Sequence, residues 1–201
     1  HIDIISNLAY PETKWDKLAS NIMKNNMEVD IKKLKEGNEN EYEKFYNLYI
    51  NRIYTIIYRV VGNMADAEDI AMNVMMKVYD KIGTFRGDAK LSSWVYRIAY
   101  NQAISFLRKQ KKTTTLESVS HPYEDKHIHY LEMKEIAEFV RSKLMELPEK
   151  YRIALTLYHF KDLSYEEIAY TMGIKMGTVK TYIHRGREEL KALVGELPEG
   201  V

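Results

Sequence analysis

The chain has 201 residues, of which 45% are hydrophobic and 29% charged, and its formal net charge is +1 at pH 7. This composition is typical of a soluble globular protein with one large domain or two small ones, and no apolar run approaches the ~20 residues of a membrane-spanning helix. The start does not resemble a signal peptide, and the absence of cysteine excludes disulfides, zinc–thiolate sites and a cysteine nucleophile. We therefore expect a cytoplasmic protein without membrane contact of its own.

The pattern along the chain predicts an all-α fold with two small helical domains joined by a flexible linker. Proline and glycine are few, at four and nine residues, and no run of alternating apolar residues indicates a strand. The expected segments are an unassigned N-terminal extension at 1–28 with one possible short helix from Glu12 to Lys24, a first domain at 29–112, a linker at 113–133, a second domain at 134–195 and a tail at 196–201.

The first domain begins with two strongly periodic helices. Apolar residues recur at helical spacing from Tyr42 to Val60, and Gly62 ends that pattern. The next helix carries three acidic residues in its first turns, where carboxylates favour the positive end of the helix dipole: Asp66, Glu68 and Asp69. The same trio could be a metal site of an enzyme, but no histidine or further carboxylate stands nearby at ligand spacing. We interpret it as a helix start.

A polar loop lies between two aromatic residues before the third helix. Ser92 or Ser93 could cap that helix, which we expect to be apolar along one side. Loop and helix together could form a rimmed pocket for an unstacked base, read by hydrogen bonds and flanked by rings; the residues are Phe85, Arg86, Gly87, Asp88, Trp94, Tyr96 and Asn101. The alternative is that Phe85 and Trp94 are core residues. We favour the core for Trp94, and base capture for the loop backbone and Asn101.

The third helix turns basic at its end, at Arg108, Lys109, Lys111 and Lys112. Such a run is either a solvated helix end, favoured there by the dipole, or a patch that contacts phosphates. The run alone does not decide between them. The motif described next favours phosphate contact.

The stretch from Leu163 to Lys191 has the layout of a helix-turn-helix, whose second helix enters the DNA major groove. Ser164 and Glu167 have capping-box spacing, and Gly173 stands where a left-handed turn residue is needed. A second helix should start at about Met176 and present a polar and cationic outward face: Lys180, Thr181, His184, Arg185 and Arg187. The alternative is an ordinary helical hairpin with a solvated charged face. The small Ala169, the turn glycine and the lack of acids from Lys180 to Arg187 argue against it.

Two separated motifs now indicate a family. They are DAEDIAMNVMMKVYDKIGTFRGDAKLSSWVYRIAYN and LPEKYRIALTLYHFKDLSYEEIAYTMGIKMGTVKTYIHRGREEL. In this order they resemble the second and fourth conserved regions of a bacterial RNA polymerase sigma factor of the extracytoplasmic-function group. The resemblance covers about 29–194. It implies a promoter-specificity subunit that has no catalysis, cofactor or metal of its own.

The resemblance also implies three sets of contact residues. The base flipped from the −10 element, with nearby duplex or phosphates, would contact Phe85, Arg86, Gly87, Asp88, Ala89, Lys90, Leu91, Ser92, Arg97, Asn101, Arg108 and Lys109. The −35 element would contact Thr178, Lys180, Thr181, His184, Arg185 and Arg187. The clamp helices of the largest polymerase subunit would contact Asp66, Asp69, Met72, Asn73 and Met76.

Further partners implied by the resemblance are the flap of the second-largest polymerase subunit, promoter DNA and an anti-sigma factor. The chain departs from the family pattern at two places. Met72 and Asn73 replace a common Gln-Glu pair, and Lys175 stands where Ser or Pro usually caps the recognition helix. Because lysine cannot accept the cap hydrogen bond, we expect that helix to fray or to be capped from Thr178.

Three rivals remain in view. They are a DNA-binding regulator that acts without polymerase, a metal nuclease built on the acidic trio, and a pure protein-interaction module. The linker histidines His121, His127 and His129 could also form a metal or pH sensor, although exposed linker histidines usually have no such role.

Overall fold

A computed structural model describes residues 29–113, 131–159 and 163–195. The expected helix from Glu12 to Lys24, the linker histidines and the tail lie outside these residues. Within them the chain is all-α, with no strand, as the sequence predicts. The helices are α1 (Ile31–Lys35), α2 (Glu39–Val61), α3 (Met64–Lys81), α4 (Leu91–Thr113), α5 (Leu131–Glu146), α6 (Glu149–Tyr158), α7 (Tyr165–Met172) and α8 (Met176–Val194), and a 3-10 turn at Ile82–Thr84 follows α3.

The first module, α1 to α4, is built on the predicted periodicity. Asn38 caps α2 by accepting a hydrogen bond from the Glu41 backbone N–H, and Gly62 ends the helix at φ 85°, a left-handed conformation that glycine adopts without penalty. Asn63 then caps α3 through the Asp66 N–H. The buried faces of α2, α3 and α4 meet in one apolar core.

The start of α4 differs from the prediction. The helix begins at Leu91, before either serine, and the Trp94 N–H donates to the Lys90 carbonyl at 3.1 Å. Ser93 is wholly buried, and its hydroxyl finds no hydrogen-bond partner among the described residues. Ser93 therefore faces the core instead of capping the helix, and the loop between the 3-10 turn and α4 shortens to residues 86–90 with Phe85 before it.

The second module, α5 to α8, follows its predicted signals closely. Ser164 and Glu167 form a complete capping box at the start of α7, and Gly173 ends that helix at φ 67°. The buried face of α8 packs on α6, where Gly186 allows close approach because a Cβ there would lie 3.0 Å from Leu155 Cδ1. The module starts earlier than expected, since α5 begins at Leu131, inside the predicted linker range.

The two modules pack against each other. Helix α7 lies on α4, and α6 lies on α2, so the apolar cores form a single cluster. Helix α5 also meets the end of α2, where Gly62 leaves room for Met145, whose Cε would stand 2.5 Å from a Cβ at that position. Arg141 lies over the Tyr58 ring at 5.5 Å nearby. The two predicted helical domains are thus in contact through a continuous apolar core.

None of the helices in the described residues combines the length and hydropathy that crossing a bilayer requires.

Candidate nucleic-acid interface

Helix α8 presents a polar, cationic surface to solvent. Its second and third turns expose four of the predicted contact residues on one side, and we call them the recognition face: Lys180, Thr181, His184 and Arg185. The opposite side is buried through Val179, Ile183 and Leu190. Because these sets are separated at helical spacing, the recognition face is free of the core that holds the helix.

The start of α8 lacks a side-chain cap. Lys175 occupies the N-cap position in an extended conformation and makes no cap hydrogen bond, as expected from its chemistry. Thr178 does not replace it as the cap, because the helix already begins at Met176 and the Thr178 N–H donates to the Lys175 carbonyl at 2.9 Å. The Thr181 hydroxyl donates to the Gly177 carbonyl at 2.9 Å.

Arg187 lies beside the recognition face but packs against the protein. It is partly buried, and its guanidinium lies 4.7 Å from the Tyr158 ring centroid. Tyr158 stacks on Tyr165 at 5.6 Å, and Lys180 Nζ lies 5.8 Å from the Tyr165 centroid. These cation–π contacts hold the side of α8 on α6 and α7. Burial and the neighbouring Tyr158 raise the pKa of Tyr165, so the Tyr165 phenol is neutral near pH 7.

The loop 86–90 and α4 form the second predicted surface. Arg86, Gly87, Asp88 and Lys90 are exposed, and Gly87 takes φ 83°. Leu91 and Ser92 lie partly buried in the first turn of α4. Asn101 is exposed two to three turns further along the same helix.

The aromatic residues around this loop belong largely to the core. Phe85 is 5% exposed, and its ring meets the half-buried Trp94 at 5.4 Å. Tyr96 is wholly buried and so does not form the rim of a pocket, contrary to expectation. Any capture of a base here would use the exposed loop and Asn101.

Helix α7 covers part of this same surface. Lys90 Nζ lies 3.0 Å from Glu167 Oε1, and the Arg97 guanidinium lies 4.8 Å from the Tyr170 ring centroid. Both cations were predicted DNA contacts, and here both are engaged by the second module. Neither pair was predictable from local sequence patterns, because the partners are more than seventy residues apart along the chain.

Glu167 has two roles at this contact. Its Oε2 accepts the Ser164 backbone N–H at 2.7 Å in the capping box, while its Oε1 faces Lys90. Burial alone would raise the pKa of Glu167, but the hydrogen bonds from Ser164 and Lys90 outweigh it and the pKa is lowered. Glu167 is therefore charged near neutral pH, which keeps the ion pair intact.

The basic end of α4 is divided between solvent and the second module. Arg108 and Lys109 are exposed, whereas Lys111 Nζ lies 2.7 Å from Glu149 Oε2 at the start of α6. Burial, with Glu149 second, raises the pKa of Tyr100 on the same helix. This run therefore contributes both to a cationic surface and to the packing of the two modules.

Helix α3 carries an apolar surface that faces solvent. Met72, Met76 and Tyr79 are 50%, 56% and 54% exposed, and we call them the α3 apolar surface. Tyr46 donates to Met72 Sδ at 3.7 Å, and the Tyr42 ring meets Tyr79 edge-on at 4.9 Å, so α2 supports it from one side. The predicted polymerase contacts Asp69 and Asn73 are exposed on the same side, and Asp66 is partly buried at its start.

Among the described residues, no group of three histidine, aspartate, glutamate or cysteine side chains could hold a metal ion. The acidic trio of α3 instead stands in the first turns of a helix capped by Asn63.

Both modules match sigma-factor family models. Residues 45–113 match "Sigma-70 region 2", and residues 140–190 match "Sigma-70, region 4". The first match covers most of α2 to α4 with the loop 86–90, and the second covers α6 to α8 with the end of α5. The recognition face and the loop therefore lie in separate conserved regions.

Relatives of nearly the same length as this chain are ECF RNA polymerase sigma factors. The ECF RNA polymerase sigma factor SigW of Bacillus subtilis is 33% identical over 83% of this chain and 96% of its own. The ECF RNA polymerase sigma-E factor of Escherichia coli is 27% identical over 81% of this chain and 91% of its own.

A solved structure of RpoE, a sigma factor from Bartonella quintana in complex with the anti-sigma factor NepR, has the same fold. The TM-score is 0.62 at 23% identity, over 77% of this chain and 96% of the other. CnrH, solved with the cytosolic domain of CnrY, also has a TM-score of 0.62. Its sequence identity is 18%, over 82% of this chain and 94% of CnrH. With the family matches and the full-length relatives, these observations show that the chain belongs to the extracytoplasmic-function group of sigma-70 family RNA polymerase sigma factors, which direct transcription initiation.

Proposed function

We propose that this sigma factor reads a promoter with two surfaces that act at different stages. The recognition face of α8 binds the −35 element as duplex, and the loop 86–90 with Asn101 holds a base flipped out of the melted −10 element. The observation that carries the proposal is the placement of these two exposed polar surfaces on separate modules of one chain. The proposed functional regions are 29–112 and 134–195, with 113–133 between them; α5 itself begins within that linking range, at Leu131.

The chemistry of α8 supports its role at the −35 element. A helix in the major groove reads base edges by hydrogen bonds, and a good bidentate pair discriminates by about 1–3 kcal/mol. Arg185 and His184 supply donors, and Thr181 supplies a hydroxyl. Thr178 and Arg187 flank this face, and Arg187 is the less available of the two because it packs over Tyr158.

The loop supports the capture of a base in another way. Extrusion of a base from the stack is unfavourable by a few kcal/mol, and hydrogen bonds to its polar edge offset this. The exposed residues 86–88, with their backbone N–H and C=O groups, and the exposed Asn101 amide offer donors and acceptors of that kind. Lys90, Arg97, Arg108 and Lys109 supply cations for the phosphates on either side.

Reading both elements at once requires the modules to separate. The names of the elements place them about 25 base pairs apart, which is about 85 Å of duplex. A compact module of this size has a radius of gyration of about 12 Å, so two modules in contact cannot span that distance. Separation would also release Lys90 from Glu167 and Arg97 from Tyr170, making both cations available to DNA.

Core RNA polymerase is the proposed partner that holds the modules apart. The α3 apolar surface, with Asp66, Asp69 and Asn73 along it, would dock on the clamp helices of the largest subunit. Exposed apolar area of this kind commonly marks a protein–protein contact, and methionine adapts well to such surfaces. The second module would contact the flap of the second-largest subunit, and polymerase would supply all catalysis.

An anti-sigma factor is the proposed negative partner. The sigma factor RpoE was solved in complex with an anti-sigma factor, and CnrH, which has the same fold, was solved with the cytosolic domain of CnrY. These structures support a similar complex here. Because polymerase and promoter are its targets, we propose that the chain acts in the cytoplasm.

The test separates the two stages with two single substitutions. Arg185→Ala should weaken binding to a −35 duplex by about 1–3 kcal/mol. Asn101→Ala should leave that binding unchanged but reduce promoter opening, measured by permanganate reactivity of −10 thymines with core polymerase. Lys32→Ala, an exposed change on α1 outside both surfaces, is the control for both.

Run-off transcription across a promoter library tests whether the chain directs core polymerase to defined start sites. The proposal is wrong if core polymerase with this chain starts at no defined site, or if Asn101→Ala melts DNA like the parent chain. A regulator acting without polymerase would bind the duplex but fail a pull-down with core enzyme.

A further inference from the structure

A lysine outside both conserved motifs contacts the loop 86–90. Lys35, at the end of α1, donates from Nζ to the Phe85 carbonyl at 2.6 Å, across fifty residues of sequence. Its ammonium also lies 5.9 Å from the centroid of the Phe85 ring. The side chain thus holds both the ring and the carbonyl of the residue at which the loop begins.

Helix α1 is itself fixed at its start. The Asp30 side chain accepts from the backbone N–H groups of Lys32 and Lys33, at 3.0 and 3.2 Å. The Asp30 N–H donates to Glu41 Oε1 at 2.8 Å, and the Glu41 side chain is only 5% exposed. Leu34 is buried in the core. Lys35 therefore extends from a short helix that the first module holds at two points.

Backbone hydrogen bonds hold the loop 86–90 at both of its ends. At one end the Phe85 N–H donates to the Ile82 carbonyl at 3.0 Å, and at the other the Trp94 N–H donates to Lys90. Between these ends, residues 86–88 are exposed and Gly87 has a positive φ. The orientation of the Phe85 peptide therefore sets the direction in which the loop leaves the core, and Lys35 is hydrogen-bonded to the carbonyl of that peptide.

We propose that Lys35 is a positioning residue for capture of the −10 base, acting through the Phe85 carbonyl on the loop 86–90. This inference rests on the proposed function of the loop. A charged donor makes a stronger hydrogen bond to a carbonyl than a neutral one, and it reduces the number of loop orientations before DNA arrives. Preorganisation of this kind favours binding because less ordering remains to be done in the complex.

The test compares three variants in complex with core polymerase. Lys35→Met keeps an apolar stem beside the Phe85 ring but removes the donor. Lys35→Arg keeps a charged donor and should restore function. Lys32→Met removes one positive charge from an exposed position of the same helix and is the control. Thermal unfolding of each free chain checks that the first module remains folded.

The readout is binding to a promoter with a pre-melted −10 bubble, with and without abasic sites placed in turn along the non-template strand. We expect Lys35→Met to bind the intact bubble about three- to tenfold more weakly, the factor for one net hydrogen bond. We expect the parent chain and Lys35→Met to bind equally when the captured base is missing. A general loss of structure would weaken both bubbles alike, and that result would overturn the proposal.

Asn101→Ala on the same bubbles separates this inference from the proposed function. If Asn101→Ala loses its base-dependent affinity and Lys35→Met does not, the proposal for Lys35 is wrong, and capture of the base by the loop 86–90 and Asn101 is still supported. If neither substitution changes the base-dependent affinity, the proposal that the loop 86–90 and Asn101 capture a base is itself wrong. Failure of Lys35→Arg to restore binding also counts against a role as donor.

Discussion

The two proposed DNA surfaces differ in how available they are in the closed chain. The four residues of the recognition face of α8 are all exposed, although Lys180 also lies over the Tyr165 ring of α7. The surface on α4 and its loop has two of its cations engaged by α7, through Glu167 and Tyr170. One surface is ready for duplex as folded, whereas the other becomes complete only after the modules part. The first step at a promoter should therefore be −35 recognition.

The largest expected effect comes from preventing separation. The chain has no cysteine, so cysteines placed at Lys90 and Glu167 can be joined selectively with a short bis-maleimide. We expect the cross-linked chain to lose run-off transcription almost completely while it still binds a −35 duplex.

The uncross-linked double variant is the control, since it shows what the two substitutions do alone. Transcription by the cross-linked chain at the control level would show that the modules need not part.

A second substitution disrupts the packing of α8, the helix that carries the recognition face. Gly186→Val places a branched side chain where even a Cβ would lie 3.0 Å from Leu155 and 3.2 Å from Tyr151. Overpacking of this kind costs about 1–3 kcal/mol, so we expect a lower free energy of unfolding and weaker −35 binding. Gly177→Val is the matched control, because nothing lies within 4 Å of a Cβ there. Equal thermal unfolding curves for Gly186→Val and the parent would contradict the packing.

The smallest effect concerns the ion pair between the modules. The folded-state pKa of Glu167 is lowered from 4.5, so its contribution to stability is complete above that value and is lost as the pH falls through the folded pKa. Lys90 is 72% exposed in its side chain, and such a pair contributes about 0–1 kcal/mol. We expect Glu167→Gln to be slightly less stable than the parent at pH 7 and equal to it in acid.

Glutamine can still serve in a capping box, so this change mainly tests the charge, and Glu166→Gln is the control. A difference between Glu167→Gln and the parent that stays constant from pH 7 into acid would exclude the ion pair as its cause.

Local signals made most of the helices predictable from the sequence. The Ser164–Glu167 capping box, the left-handed Gly173 and the start of α8 at Met176 all agree with the structure. Each depends on residues within a few positions of one another. The exposed sides of α3 and α8 were predictable for the same reason, since helical spacing alone decides them.

Features that depend on tertiary packing were less predictable. Ser93 looked like a cap and Tyr96 like a pocket rim, yet both are buried because the module packs around the start of α4. The contact of α7 with α4 and the bond from Lys35 to Phe85 join residues fifty or more positions apart. No periodicity or short motif encodes such pairs.

The shared core of the two modules also has a thermodynamic consequence for promoter affinity. A ligand that binds only the separated form has its apparent dissociation constant divided by the fraction of molecules in that form, so a fraction of 1% weakens binding about 100-fold. Polymerase that traps separated molecules removes this factor. Selectivity for the holoenzyme over free chain then arises from an equilibrium within the protein, without any contact to a base.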